Sequence, residues 1–203
     1  MVSYNSEAYA RYENSHPGFW NKIRAQKILE MLRPETDDRI LEIGCNTGWL
    51  TRELMNYSKN VVGIDVNSAG LEMANMPNLL CMDMADLGFR DNSFDKIVCL
   101  HTIEHVREIN KAFEEMSRVL KPGGSIILVY PFEVVRGMCA IGGAVAMCSS
   151  ILKARQLHIR KFCPRKISRM IAGNGLHPRV NIMFADPWLS YLTVLRKKSK
   201  GTL

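Results

Sequence analysis

The sequence predicts an α/β fold in one domain, a doubly wound and mostly parallel sheet with helices on its faces. Three observations predict it. The stretch ILEIGCNTGWL, Ile40 to Leu50, is an apolar run that passes through an acid and a glycine loop into a helical segment. The run NVVGIDVN then brings apolar Val61, Val62 and Ile64 to a second acid, Asp65, at the end of a second strand. Two further apolar runs, Lys96 to Leu100 and Ser125 to Tyr130, alternate with helical segments, the pattern of βαβ units.

The elements follow in order. Trp20 to Leu32 reads as an amphipathic helix with Ile23, Ile28, Leu29 and Leu32 inward. Ile40, Leu41 and Ile43 read as a buried parallel strand. Gly44 and Gly48 let the backbone turn and approach a ligand closely, and Thr47 is placed to cap the helix that begins near Gly48. Loop amides and a helix N-terminus then face a ligand. The spacing excludes one ligand class. Dinucleotide sites use G-x-G-x-x-G, but here Trp49 falls where the third glycine would stand, so hydride chemistry is disfavoured. Asp65, at the carboxyl end of its strand, suits two vicinal hydroxyls, which a carboxylate holds with two hydrogen bonds. A helix ends near Leu120, the turn Lys121-Pro122-Gly123-Gly124 follows, and the last helix, Arg165 to Ala172, stops at Gly173 or Gly175.

The loop resembles the first motif of class I S-adenosylmethionine-dependent methyltransferases, [D/E]-x-G-x-G-x-G, carried by Glu42, Gly44, Asn46 and Gly48. Asn46 replaces the middle glycine, and asparagine is one of the few other residues that tolerate the left-handed backbone region. NLLCMDMADLGFRDNSFDKIVCLHTIEHV resembles the family's third and fourth motifs, and VLKPGGSIILVYPFE its late helix, turn and strand. The likeness spans roughly residues 20 to 131, with a weaker match at 158 to 183. Its nearest flavour is the small, type 11 enzymes similar to those of ubiquinone and menaquinone biosynthesis. That resemblance implies a seven-stranded Rossmann-like sheet and S-adenosylmethionine as cofactor. It implies cofactor contacts from Glu42, Gly44, Cys45, Asn46, Gly48, Asp65, Val66, Asp83, Met84 and Leu100, with Asp83 accepting from the adenine amino group and Met84 near the ring. His158 and Phe162 would lie near the acceptor pocket. Tyr9, Tyr12 and Phe19 would form a flap over the cofactor, or pack ordinarily.

Methyl transfer from a sulfonium asks the protein mainly to align the partners and exclude water. If the acceptor is a phenol, enol or hydroxyl, His101 at the strand end is the first candidate to take its proton, with His158 the second. The rival reading makes each a packing or surface histidine. HTIEH, His101 to His105, matches the H-x-x-E-H of inverted zinc proteases in letters only, because it sits at a strand end and not in a helix. No metal is expected: Glu104 and His105 are read as bonding nearby backbone at a helix start.

At 203 residues and 47% hydrophobic content the chain suits one core. Residues 1 to 33 are expected to be a helical cap, 34 to 131 the cofactor core, 132 to 163 an insertion and 164 to 203 a closing helix and strands. The polar start lacks the apolar centre of a signal peptide, so a cytoplasmic protein is expected. Six cysteines without C-x-x-C spacing are read as buried free thiols. Residues 1 to 130 carry 14 basic and 18 acidic side chains, whereas 131 to 203 carry 13 and 2. Within that basic third, Gly137 to Leu152 is uncharged. It is short for a membrane span and suits a buried helix or substrate lid. With the cations that follow it, 137 to 166 equally suits peripheral contact with a bilayer. Phe162 is the lone aromatic between Leu152 and Met183, so bases would lack a stacking platform and a nucleic-acid partner is disfavoured. The expected function is methyl transfer to a small, lipid-like or quinone-like acceptor. Two alternatives stand beside it: a soluble metabolite as acceptor, and a non-catalytic module that keeps the cofactor fold. Oligomeric state is left open.

Overall fold

In the computed structural model, residues 6–14, 18–141, 144–145, 152, 154–186 and 188–199 are described. Seven strands, β1 Arg39–Ile43, β2 Asn60–Asp65, β3 Leu79–Cys81, β4 Phe94–Leu100, β5 Leu120–Pro131, β6 Leu176–Asp186 and β7 Trp188–Lys197, form one sheet in the order β3-β2-β1-β4-β5-β7-β6. The first five are mutually parallel. β7 runs antiparallel to both β5 and β6, and lies between them.

The two-residue period of the strands builds a core on each face. Leu41, Ile43, Ile97, Cys99, Ile126 and Leu128 point to one side, where α5 (Ile109–Val119) packs Ala112, Phe113 and Met116 at helical spacing. Ile40, Val61, Val98, Ile127 and Val129 point to the other, against α2 (Gly18–Leu32) and α3 (Trp49–Leu54) through Ala25, Ile28, Leu32, Leu50 and Leu54. Both faces of the central strands are therefore covered, which is why those strands are apolar without alternation. In α2, Ile28 and Leu32 are buried as expected, while Ile23 and Leu29 are half-buried and Ala25 completes the inner face. α1 (Glu7–Asn14) lies beside α4 (Ser68–Ala74), with Asn67 Nδ2 donating to the Ser6 carbonyl.

Several local expectations are corrected. β5 begins at Leu120, before the Lys121-Pro122-Gly123-Gly124 turn: Leu120 pairs with Phe94 and Ser125 with Lys96, so the turn bulges out of a continuous strand. Lys121 reaches both oxygens of Asp95 at 2.8 Å and ties the bulge down. Gly48, not Thr47, is the residue that precedes α3, and no side-chain cap closes that helix. The late helix is Pro164–Met170, shorter than expected, with Pro164 in its first turn. Cys45 and Cys99 are buried, but Cys81 and Cys163 are exposed, and Cys148 lies outside the described residues.

The stretch from Gly137 to Leu152 is divided. Ala140 and Ala144 join Ala154 and Leu157 in a small buried cluster, whereas Met138, Ile141, Val145 and Leu152 are exposed. Residues 142–143 and 146–151 lie outside the described set. Among the described residues no helix is long and apolar enough to cross a membrane. Tyr9's side chain also falls outside that set, while Phe19 is exposed.

Candidate active site

The strand order reverses between β1 and β4, and open α/β sheets hold ligands in the crevice at the carboxyl ends of strands flanking such a point. A cavity of about 540 Å³ opens there. Of the expected cofactor contacts, Gly44, Cys45, Asn46, Asp65, Val66, Asp83, Met84 and Leu100 line it, and so does His101, the first candidate to take the acceptor's proton.

Its floor is held by backbone conformation. Gly44 has φ 81, and a Cβ there would sit 2.0 Å from Thr102 Oγ1. Thr102 in turn donates to the carbonyls of Leu100 and Ile43, joining the ends of β4 and β1. Gly44→Ala is therefore expected to cost roughly 2 kcal/mol in unfolding free energy, from the left-handed backbone alone, before the clash is counted. Denaturant unfolding of the variant measures it, and stability equal to the native chain would contradict the argument. Asn46 has φ 43, the conformation expected of a residue standing where relatives of the motif have glycine.

Asp65 is positioned by that loop. Its Oδ2 accepts from the Asn46 amide and its Oδ1 from the Asn67 amide, each at 2.8 Å. Burial raises its pKa, and those two amides work against the rise by favouring the charged form. The carboxylate is thus fixed with lone pairs left for a diol. Asp83 Oδ1 accepts from the Ala85 amide at 2.8 Å at the neighbouring wall. The glycine-floored loop, the oriented carboxylate and the apolar Met84 wall fit the expected nucleoside cofactor.

Two expected contacts lie off the cavity. Gly48 packs towards Leu79 and Met76. Glu42, 2% exposed, points to the α2/α3 face and accepts the hydroxyl of Thr51. Burial raises its carboxyl to about 7. Between the ordinary value of 4.5 and about 7 the folded chain keeps a proton that the unfolded chain has released. Stability from this group accordingly falls as pH rises through that window, by about 3 kcal/mol in total. Glu42→Gln still accepts from Thr51 and is expected to be about 3 kcal/mol more stable than the native chain at pH 8, and equal to it near pH 4.5. Denaturant titrations at several pH values test this; parallel pH profiles for the two proteins would refute it.

On the opposite wall, residues after β4 meet residues after β5. His101 has φ 47 and its amide donates to the Val129 carbonyl, which aims the side chain from the strand end into the cavity. His101 Nδ1 lies 3.4 Å from Glu104 Oε1. Burial would raise the Glu104 carboxyl, but the His101 hydrogen bond and the nearby His105 and His158 rings outweigh it and hold it at about 2. His105 lines the cavity, is held below its ordinary pKa by burial, and meets the Leu157 carbonyl at 2.9 Å through Nδ1. His158 stands one layer behind. Its ring lies 5.0 Å from that of His105, and its Nδ1 is 2.7 Å from buried Glu133. Burial pushes the Glu133 carboxyl up and His158 pulls it back below the ordinary range. Phe162 packs with Tyr130 in the core, at 6.2 Å between centroids.

The expectation that Glu104 and His105 bond nearby backbone is corrected. His105 does meet a carbonyl, but that of a residue 52 positions on, while the Glu104 carboxylate faces imidazoles. Among the described residues, Glu104, His105 and His158 have donor atoms within 4.8 Å of one another and could hold a metal ion. Sequence reasoning missed much of this second wall: Arg107, Glu108, Gln156 and Ile159 also line the cavity. It also missed Trp49, noted only for not being glycine, and Thr102 beneath Gly44.

Residues 41–128 match the family described as a methyltransferase domain. A ubiquinone biosynthesis O-methyltransferase of Chelativorans sp. (strain BNC1) is 30% identical over 184 residues, covering 83% of this chain and 68% of that protein. The 24-methylenesterol C-methyltransferase 2 of Arabidopsis thaliana is 26% identical over 117 residues, 52% of this chain, and this chain spans only 32% of its length. Among solved structures, an S-adenosylmethionine-dependent methyltransferase from Mesorhizobium loti superposes with TM-score 0.68 at 17% identity, covering 85% of this chain and 96% of that one.

Proposed function

This chain belongs to the class I S-adenosylmethionine-dependent methyltransferases, and from that membership we propose that it methylates a small lipid-like or quinone-like acceptor. The observation that carries the reading is the cavity's second wall. Beyond the cofactor contacts, the lining combines apolar Val106 and Ile159 with polar His101, His105, Arg107, Glu108 and Gln156. An acceptor with an apolar body and a polar, reacting end suits such a mixed lining. Relatives named for ubiquinone and sterol methylation support the same class.

Bound S-adenosylmethionine supplies an electrophilic methyl group. The chain's own part is then to hold, align and handle one proton. Asp65 would hold the ribose hydroxyls with its two pre-oriented oxygens, and Asp83 and Met84 the adenine. His101 takes the acceptor's proton if a hydroxyl is methylated, with the Glu104 carboxylate at Nδ1 stabilising the imidazolium that forms. His158 lies too far back to line the cavity and serves through the wall that carries Gln156 and Ile159.

Calorimetric titration with S-adenosylhomocysteine, followed by transfer of labelled methyl to a short-chain quinol and to a soluble catechol, tests the reading. Binding with transfer favouring the quinol is expected. Binding without transfer to any acceptor would favour the non-catalytic module, and preference for the catechol would favour the soluble-metabolite reading.

A further inference from the structure

We propose that the face formed just after β5 docks on an anionic lipid bilayer, so that the cavity draws its acceptor directly from the membrane. This deepens the lipid-like reading above and rests on it for the acceptor alone. Its first support is a run of exposed apolar side chains on one segment: Val134 is 64% exposed, Val135 51% and Leu152 89%, with Met138, Ile141 and Val145 also exposed. The segment lies beyond the carboxyl end of β5, the same edge of the sheet as the cavity.

The second support is charge. From Val134 to Ala185 the sequence has no Asp or Glu and nine Lys or Arg. The one acid at the segment's root, Glu133, is buried against His158 and presents no negative charge to the surface. Arg155, Lys161, Arg165 and Arg169 are exposed. An exposed apolar stretch followed directly by exposed cations supplies partners for the acyl and the headgroup layers of an anionic bilayer, and two such signals together give stable peripheral attachment.

The third support is that the face is built. Arg136 donates to the Ile159 carbonyl at 3.1 Å and Lys161 to the Val134 carbonyl at 2.6 Å, cross-tying the two ends of the segment. Arg160 donates to the Val106 carbonyl at 3.0 Å and ties the same stretch to the loop after β4. Gln156 and Ile159, from that stretch, line the cavity. The stretch tied to the exposed apolar segment therefore also supplies part of the cavity wall.

The test is flotation of the full chain with phosphatidylcholine vesicles, with and without phosphatidylglycerol. The chain is expected to float with the anionic vesicles and to stay behind with pure phosphatidylcholine. Val134→Ser combined with Val135→Ser and Leu152→Ser is expected to weaken partition at least about tenfold, and Arg155→Glu with Arg165→Glu likewise. Each variant should bind S-adenosylhomocysteine as the native chain does, which separates this outcome from the cofactor reading. Failure of the native chain to float, or flotation unchanged by the apolar variant, would overturn the proposal. So would self-association lost in that variant, which would make the face a contact between copies.

Discussion

Asp65→Ala is expected to weaken S-adenosylhomocysteine binding by roughly 100- to 1000-fold. The figure follows from removing two hydrogen bonds to a charged group, each contributing about 1.5–2 kcal/mol. The substitution also strips the Asn46 and Asn67 amides of the acceptor that fixes the glycine loop. Asp65→Asn keeps an oxygen for one of them and is expected to fall between the native chain and Asp65→Ala. Calorimetry on all three orders them. Equal affinities would mean that the diol is not held at the end of β2, and the cofactor site as described would be wrong.

His101→Asn is expected to lower kcat on a hydroxyl acceptor roughly 100-fold while leaving S-adenosylhomocysteine affinity nearly unchanged. Asparagine is chosen because the position has φ 47, where most side chains would add strain of their own. The variant therefore removes the imidazole and keeps the backbone. A matched loss of cofactor affinity and stability would make His101 a packing residue; an unchanged kcat would remove proton abstraction from its role.

The cofactor half of the site was legible because its chemistry is local. Gly44 and Asp65 stand at the ends of β1 and β2, where apolar periodicity and glycine punctuation find them, whereas Asn46, Asp83 and Leu100 were marked by the family resemblance. Glu42 shows what the motif alone hides. It shares the parity of Ile40, so its side chain belongs with the α2/α3 face, where Thr51 meets it. The two-residue period contained that information, and the motif's spacing masked it. The acceptor half was not legible, because it is assembled from contacts between distant segments. Glu133 and His158 are 25 positions apart, and His105 and Leu157 52. Gln156 and Ile159 carry no pattern that marks them as wall residues; tertiary ties, among them those of Arg136, His105, Arg160 and Lys161, hold their stretch against the cavity.

The position of β7 between β5 and β6 sets an order of events on the ribosome. β7 follows β5 and β6 in the chain yet lies between them, so β5 has no neighbour on that edge until residues 188–197 have emerged. Tyr130 likewise waits for its hydrogen-bond partner Thr193, 2.8 Å away in the finished core. Between the emergence of β5 and that of β7 the nascent chain carries an open strand edge of the kind that pairs with other chains. Holding that edge apart until the β6–β7 hairpin arrives is a task for whatever meets the chain at the tunnel exit.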